Sequence, residues 1–434
     1  MSLRIKLCLF VLMSVFLAAN VPENKKCWAD QNWAQWRGPQ RDGHAAPQAL
    51  LKSWPAGGPN LKWEAAEIGA GYSSMSVVDD GLYTLGAEDD QCYAMRIDAA
   101  TGTPVWKTPF SRAGKEGDYL VGWGAGPRST PTVDGDSVFM LSDIGVFACL
   151  DRGTGQVQWT TDLVADHGGE IPKWGYSESA LVDGDRVIVT PGKAAFMIAL
   201  NRSTGEKVWQ SSGVDVRAHY ISALKTSFNG VDFYVSGANN GVVGFDCNTG
   251  VKLFEEEATG ADIATIPTPI LSGSQIYHTS GYGDGNQLIQ LVAGSDGVDS
   301  EVIYHNTGKS MGNKHGGVVL VDGVIYGFAQ AGGGSWMAQD LASGEVLWQE
   351  KIRGNKSGSI AYADGLLYCY NDGDGSVYLV PPSRDAWEPV GQVTLPRETS
   401  IPRDRGAIWA HPVIAGQTLY IRDQDLLFAY DIAR

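Results

Sequence analysis

The stretch on which the fold turns is Ala148-Cys149-Leu150-Asp151-Arg152-Gly153-Thr154-Gly155-Gln156-Val157-Gln158-Trp159. An Asp is followed four residues on by a Gly, and four beyond that by a Trp. The same spacing returns as Asp98, Gly102, Trp106, as Asn201, Gly205, Trp209, as Asp246, Gly250, Phe254 and as Asp340, Gly344, Trp348. In four of these five copies the Gly follows a Thr, and in the fifth it follows Ser343. A pattern repeating at this interval reads as an array of like structural units.

Working outward from Asp151, the surrounding unit reads as four short strands. Ser129-Thr130-Pro131-Thr132-Val133 leads through Asp134-Gly135-Asp136 to Ser137-Val138-Phe139-Met140-Leu141. Val146-Phe147-Ala148-Cys149-Leu150 then enters the Thr154-Gly155 turn, and Val157-Gln158-Trp159 closes the unit. Short apolar runs split by Asp/Gly turns predict antiparallel hairpins. Gly is expected where a tight turn forces a positive φ. A four-stranded sheet cannot bury both faces alone, so each must stack on the next. The aromatic residues ending the units, Trp106, Trp159, Trp209, Phe254 and Trp348, are expected to be buried between neighbouring sheets, without meeting one another or lining the centre.

Eight units can be counted, beginning near Tyr72, Arg128, Tyr176, Tyr220, Ile266, His315, Ser357 and Trp409. Units five and seven lack the Gly-Trp signature; unit five carries Asp296-Gly297 and Tyr304 instead. The last unit stops at Tyr430-Asp431-Ile432-Ala433-Arg434 without a fourth strand, while Leu61-Lys62-Trp63-Glu64 is a spare strand with the expected Trp63. Joining the two closes a ring and removes an exposed edge. The fold class expected is all-β, an eight-bladed propeller with four-stranded antiparallel blades closed by an N-terminal strand.

The repeat, clearest at Ala148 to Trp159 and Ala199 to Trp209, resembles the tryptophan-docking repeat of PQQ-like (quinoprotein-like) eight-bladed β-propellers over residues 60–434. That resemblance implies either of two roles. The superfamily includes quinone-dependent alcohol dehydrogenases, and it includes BamB, a non-enzymatic scaffold of outer-membrane assembly. The run Trp33-Ala34-Gln35-Trp36-Arg37-Gly38-Pro39 to Asp42-Gly43 looks like a sequence found ahead of many secreted bacterial members, with no role attached to it.

Residues 1–29 read as a secretory signal, with Arg4 and Lys6 ahead of an apolar run from Leu7 to Ala19 that is short for a membrane span of about 20 residues. Cys27-Trp28-Ala29 is an acceptable cleavage site. Cys27 does not resemble a lipoprotein box, which departs from the lipid anchoring of BamB. Residues 30–59 are then an N-terminal extension and 60–434 the propeller, with an extracytoplasmic location expected. The formal charge is −16, and cleavage after Ala29 removes four cations against Glu23, leaving −19. Such an acidic chain is not expected to bind nucleic acid or an anionic membrane. The four cysteines after the signal, Cys92, Cys149, Cys247 and Cys369, fall in different units and form no Cys-x-x-Cys, so neither a metal knuckle nor a haem site is supported.

The residues leading into each blade's innermost strand gather around the central funnel, and they set the candidate site: Tyr72, Arg128, Trp174, Tyr176, Glu178, Arg217, His219, Tyr220, Lys314, His315, Lys356, Trp409 and His411. The set is basic and aromatic on an acidic chain. Cations there would attract an anion, and the rings would stack on a planar group. The expected role is a non-catalytic binding or scaffold module, monomeric, taking a protein partner or a small anion at the funnel, with no cofactor and no metal.

The resemblance keeps an alternative: a quinoprotein oxidoreductase acting on an alcohol or sugar with PQQ and Ca²⁺. Glu178 would then be a Ca²⁺ ligand, with no matched Asn and Asp to complete the site, and Asp404 a base if its loop folds over the funnel. Asn371-Asp372-Gly373-Asp374-Gly375 looks like part of a Ca²⁺ loop. Its twelfth position is Pro382 where a Glu is required, and the stretch reads as a hairpin turn, as does Tyr282-Gly283-Asp284-Gly285-Asn286.

Overall fold

The computed structural model describes residues 31–239, 241–295, 297–330 and 333–434. The predicted signal, its cleavage site and Asp296 lie outside the described residues. Every sheet has four antiparallel strands, and eight such sheets form the ring. Blades one to seven span residues 76–112, 132–162, 181–210, 224–256, 270–306, 318–350 and 358–394. Blade eight takes Val413–Ala415, Thr418–Asp423 and Leu426–Asp431 from the C-terminus and Asn60–Ala65 from the N-terminal side. Trp63 stands opposite Ala429 and Ala65 opposite Leu427 in that last ladder, so the spare strand supplies the missing one. Among the described residues no helix is long and apolar enough to cross a membrane.

The core lies between blades. One apolar cluster joins Phe139, Leu141 and Phe147 of blade two to Val187, Val189 and Leu200 of blade three. Another joins Tyr83 and Leu85 of blade one to Val138 and Met140 of blade two. A larger cluster gathers blades seven, eight and one with Trp33, Leu50 and Trp54. Since a sheet presents alternate residues to its two faces, each blade feeds two such clusters.

The repeat explains how one blade grips the next. Asp151 Oδ1 accepts the Thr154 N–H at 2.8 Å and the Thr154 hydroxyl at 2.7 Å, which fixes the turn. Gly155 then holds φ +74°. The Trp of the preceding blade sits on this turn: Trp106 donates its indole N–H to Arg152 O at 3.1 Å, and its ring lies where a Cβ on Gly155 would stand 2.6 Å away. The arrangement repeats with Trp63 on Ala99 O and Gly102, Trp159 on Arg202 O and Gly205, and Trp209 on Cys247 O and Gly250. Glycine is therefore required twice, for its backbone angle and for the seat of the neighbouring ring. Trp348, facing a blade without the signature, donates instead to Ser383 O. Tyr304 takes the Trp position of blade five and donates to Leu341 O at 2.7 Å beside Gly344. Phe254 is buried, while Trp106, Trp159, Trp209 and Trp348 are half-buried, because each lies on the outermost strand of its blade with one edge toward solvent.

The extension packs on the propeller. Residues 32–44 occupy the centre of the ring. Trp33 bridges Val77, Ala34 O accepts the Val133 N–H, Trp36 donates to Thr268 Oγ1, and His44 bridges Tyr362. Two buried guanidiniums pin the coil to the innermost strands. Arg37 donates to Gly316 O and Val318 O across the channel and to Asp42 O within the coil. Arg41 donates to Ala180 O at 3.0 Å, Ser179 O at 2.6 Å and Gln35 Oε1 at 3.0 Å. Burial pulls both guanidiniums down to about 10. Beyond the plug, Leu51 N–H bonds Ile432 O and Trp54 N–H bonds Val390 O on the way to the closing strand.

Candidate functional site

Strands alternate in direction within a blade. The lead-ins to the innermost strands therefore open on the same face of the ring as the turns between second and third strands. On that face lies a cup of about 300 Å³, lined by Trp36, Tyr72, Trp123, Arg128, Lys173, Trp174, Ser177, Tyr220, Ile263, Ile266, Tyr282, Lys314, His315, Gly316, Trp409 and His411. Its floor is the plug: the Trp36 indole is tied to Thr268 Oγ1 at 2.8 Å and rests against the His411 ring with centroids 4.4 Å apart. The wall is aromatic. His315 stacks on Trp409 at 4.5 Å, Trp409 lies near-parallel to Trp123 at 6.3 Å, and Trp123 meets Trp174 edge-on at 6.4 Å.

Eight of the thirteen residues expected at the funnel line this cup: Tyr72, Arg128, Trp174, Tyr220, Lys314, His315, Trp409 and His411. The other five stand elsewhere. Tyr176 is buried between blades two and three and donates to Pro191 O. Glu178, expected as the funnel carboxylate, points into blade three, where its oxygens accept the Thr190 N–H at 2.7 Å and the Thr190 hydroxyl at 3.0 Å. Burial raises its carboxyl to about 8, against the pull of those donors and of Arg41. Arg217 is exposed and pairs with Glu170 at 3.4 Å. The ring of His219 accepts the Thr265 N–H at 3.0 Å, and burial lowers it to about 4. Lys356 is exposed, with its backbone N–H on Asp372.

The lead-in rule missed Trp36, Trp123, Lys173 and Tyr282. Trp123 sits on the turn Val121–Trp123 inside the long connection between blades one and two. Lys173 lies within the connection between blades two and three, and Tyr282, at φ +64°, is in the second-to-third-strand turn of blade five. The unusual length of the first two connections and the face shared by the third were the available signals. Trp36 had none, because nothing local says that the extension enters the channel.

The electrostatics also differ from the expectation that histidines add positive charge. Burial, then Lys314 and Arg128, hold His315 down at about 3, and burial holds His411 well below its ordinary value, so both rings are neutral at neutral pH. The cup's charge comes from Arg128, Lys173 and Lys314. Among the described residues no Asp or Glu lines it.

A calcium-bound quinone does not fit these residues. Among the described residues no carboxylate lines the cup, and no group of three or more His, Cys, Asp or Glu is placed to hold a metal. Asp404 is exposed and outside the lining, although its neighbour Arg405 bonds Gly122 O across the rim. In the stretch that looks like a Ca²⁺ loop, Asn371 Oδ1 accepts from Trp336, Asp372 Oδ1 from Lys356 N–H, and Asp374 Oδ1 from Ser376 N–H, so each of these oxygens already has a donor in a hairpin turn. Cys92, Cys149, Cys247 and Cys369 are free and buried, and burial raises every thiol.

A PQQ-repeat family model described as outer membrane protein assembly factor BamB matches residues 93–350 and 227–388, more than half of the chain. The chain belongs to the PQQ-like, BamB-like propeller family. It is 25% identical over 267 residues to BamB of Yersinia pestis, covering 58% of this chain and 61% of that relative. The chain thus spans about three fifths of the length of that curated relative. The structure resembles BamB from Moraxella catarrhalis with a TM-score of 0.58 at 15% identity, over 86% of this chain and 97% of the other. It also resembles the quinohemoprotein alcohol dehydrogenase ADHIIG from Pseudomonas putida HK5, with a TM-score of 0.65 at 13% identity, over 96% of this chain and 82% of the other. At such identities the two structural likenesses speak to the fold alone. The BamB-like assignment rests on the matched sequence.

Proposed function

We propose that this BamB-like propeller is an exported, monomeric, non-catalytic binding module that works outside the cytoplasm, as a member of a family named for an outer membrane protein assembly factor. The observation that carries the reading is the plugged channel beneath a cup that, among the described residues, no carboxylate lines. General acid–base chemistry on an alcohol needs a base within reach of the hydroxyl proton, and a Ca²⁺ ion needs several oxygen ligands. The cup supplies cations and indoles that recognise a ligand, and its two imidazoles, whose basicity burial lowers, are poor acceptors for an alcohol proton. Its docking face for a protein partner or small anion is the cup face, where the long connections between blades one and two and between blades two and three converge. The overall negative charge disfavours nucleic acid.

The test is turnover. The purified chain is loaded with PQQ and Ca²⁺ and assayed with alcohols and aldoses against an artificial electron acceptor, alongside calorimetry of PQQ with Ca²⁺. The expected result is no turnover above that of the free cofactor. Saturable quinone binding with substrate-dependent acceptor reduction would replace this reading by the oxidoreductase one.

A further inference from the structure

The cup holds three cations that make no salt bridge among the described residues. Among the described residues no carboxylate stands in ion-pairing distance of Arg128, Lys173 or Lys314, although this chain carries 49 Asp and Glu and pairs many of its other cations. Instead each lies over an aromatic ring: Arg128 over Tyr72 at 5.5 Å and Tyr119 at 5.3 Å, Lys314 over Tyr282 at 5.5 Å and Trp123 at 5.7 Å, and Lys173 over Trp174 at 4.9 Å. The guanidinium of Arg128 is held in place by Gly126 O at 2.8 Å and Gly124 O at 2.5 Å. Ring faces attract such cations without cancelling their charge, and Asp372, which acts on Lys314 from beyond ion-pairing distance, already accepts the Lys356 N–H.

Polar atoms around the same cup also lack partners. The Trp174 indole N–H and the Nδ1 atoms of His315 and His411 are buried and make no hydrogen bond among the described residues. A buried unsatisfied polar group is costly, and a ligand that supplies its partner recovers that cost. The remaining lining is flat and apolar: Trp123 and Trp409 nearly parallel on one side, Ile263 and Ile266 among the other lining residues. Ile263 is 47% exposed, so its side chain is open to a ligand in the cup.

From this lining we infer that the cup binds a small planar aromatic carboxylate, without a metal. The carboxylate meets Arg128 and Lys314, the ring lies along the Trp123 and Trp409 faces, and the Trp36 floor makes the site a dead end. The volume, at the low end for ligand pockets, limits the occupant to one or two fused rings. The inference rests on the non-catalytic reading above and deepens it by naming the ligand class.

The test is isothermal titration of the full chain with 2-naphthoate in the presence of a chelator. Parallel titrations use the neutral 2-naphthamide, the cationic 2-naphthylmethylammonium and the non-aromatic glucuronate. The expected result is saturable 2-naphthoate binding that quenches tryptophan fluorescence and weakens with rising ionic strength. Binding should be weaker by about tenfold or more for 2-naphthamide and absent for the ammonium compound. Lys314→Met, which keeps the stem and loses the charge, should weaken 2-naphthoate by about tenfold, while Lys309→Met, on the exposed connection after blade five, should leave it unchanged. Absence of saturable binding, equal affinity for acid and amide, an unchanged Lys314→Met, or preference for glucuronate would each overturn the inference. None of these outcomes bears on turnover with PQQ and Ca²⁺, so the two readings fail separately.

Discussion

The seat that each blade's glycine offers to its neighbour's tryptophan can be weighed by adding one methyl group. Gly155→Ala introduces two costs. A non-glycine residue at φ +74° loses about 1–2 kcal/mol. The new Cβ also stands 2.6 Å from Trp106 Cδ2 and 2.8 Å from Cε3, so the ring must leave its seat. Overpacking of that kind costs about 1–3 kcal/mol, for an expected total of about 2–5 kcal/mol. Gly230→Ala is the control, since Gly230 has φ +80° and nothing within 4 Å of an added Cβ; it should lose only the backbone part, about 1–2 kcal/mol. Equilibrium denaturation of the two variants, and of Gly155→Ala in a Trp106→Ala background, isolates the docking contribution. With the ring gone, the close contact that remains is Thr108 Oγ1 at 2.9 Å, so Gly155→Ala should shrink toward the size of Gly230→Ala, giving a coupling energy of about 1–3 kcal/mol. Equal losses for Gly155→Ala and Gly230→Ala, or strict additivity in the double variant, would refute blade-to-blade docking as the reason the repeat keeps glycine.

Glu178 makes stability depend on pH. Its folded-state carboxyl is raised from 4.5 to about 8, so its favourable contribution is complete below about 4.5 and is lost as pH rises through 8. Between pH 4.5 and 7 that loss is about 3 kcal/mol; denaturation across this range should show Glu178→Gln gaining on the parent by that amount, and parallel curves would exclude a buried acid. Arg37→Ala takes the guanidinium donors from the carbonyls of Gly316, Asp42 and Val318, of which Gly316 O keeps the Ile360 N–H, and should cost about 2–5 kcal/mol. Lys52→Ala, which breaks a partly exposed pair with Asp364, should cost less than about 1 kcal/mol in the same melts. Removing the chain through Ala65 strips blade eight of its outer strand and Gly102 of its Trp63, so the truncated chain should lose the cooperative transition of the intact one.

The sequence by itself determined the ring. Asp, Thr and Gly fix a turn through bonds three residues apart, the Trp at fixed spacing docks on the next blade's turn 36 to 46 residues away, and the missing last strand with the spare Trp63 encoded closure. It also placed Tyr72, Arg128, Tyr220, Lys314 and Trp409 at the cup, because pseudo-symmetry brings equivalent lead-ins together. Tertiary structure decided the rest. Whether a lead-in residue such as Glu178 faces the funnel or its own blade depends on a one-residue step along an extended chain, which reverses the side chain. Trp123 and Tyr282 reach the cup from connections whose course no local pattern dictates. The plug is the clearest case: Arg37 and Arg41 look like surface cations in sequence, and only the carbonyls of strands roughly 140 to 280 residues away, gathered by the closed ring, give their guanidiniums a reason to be buried.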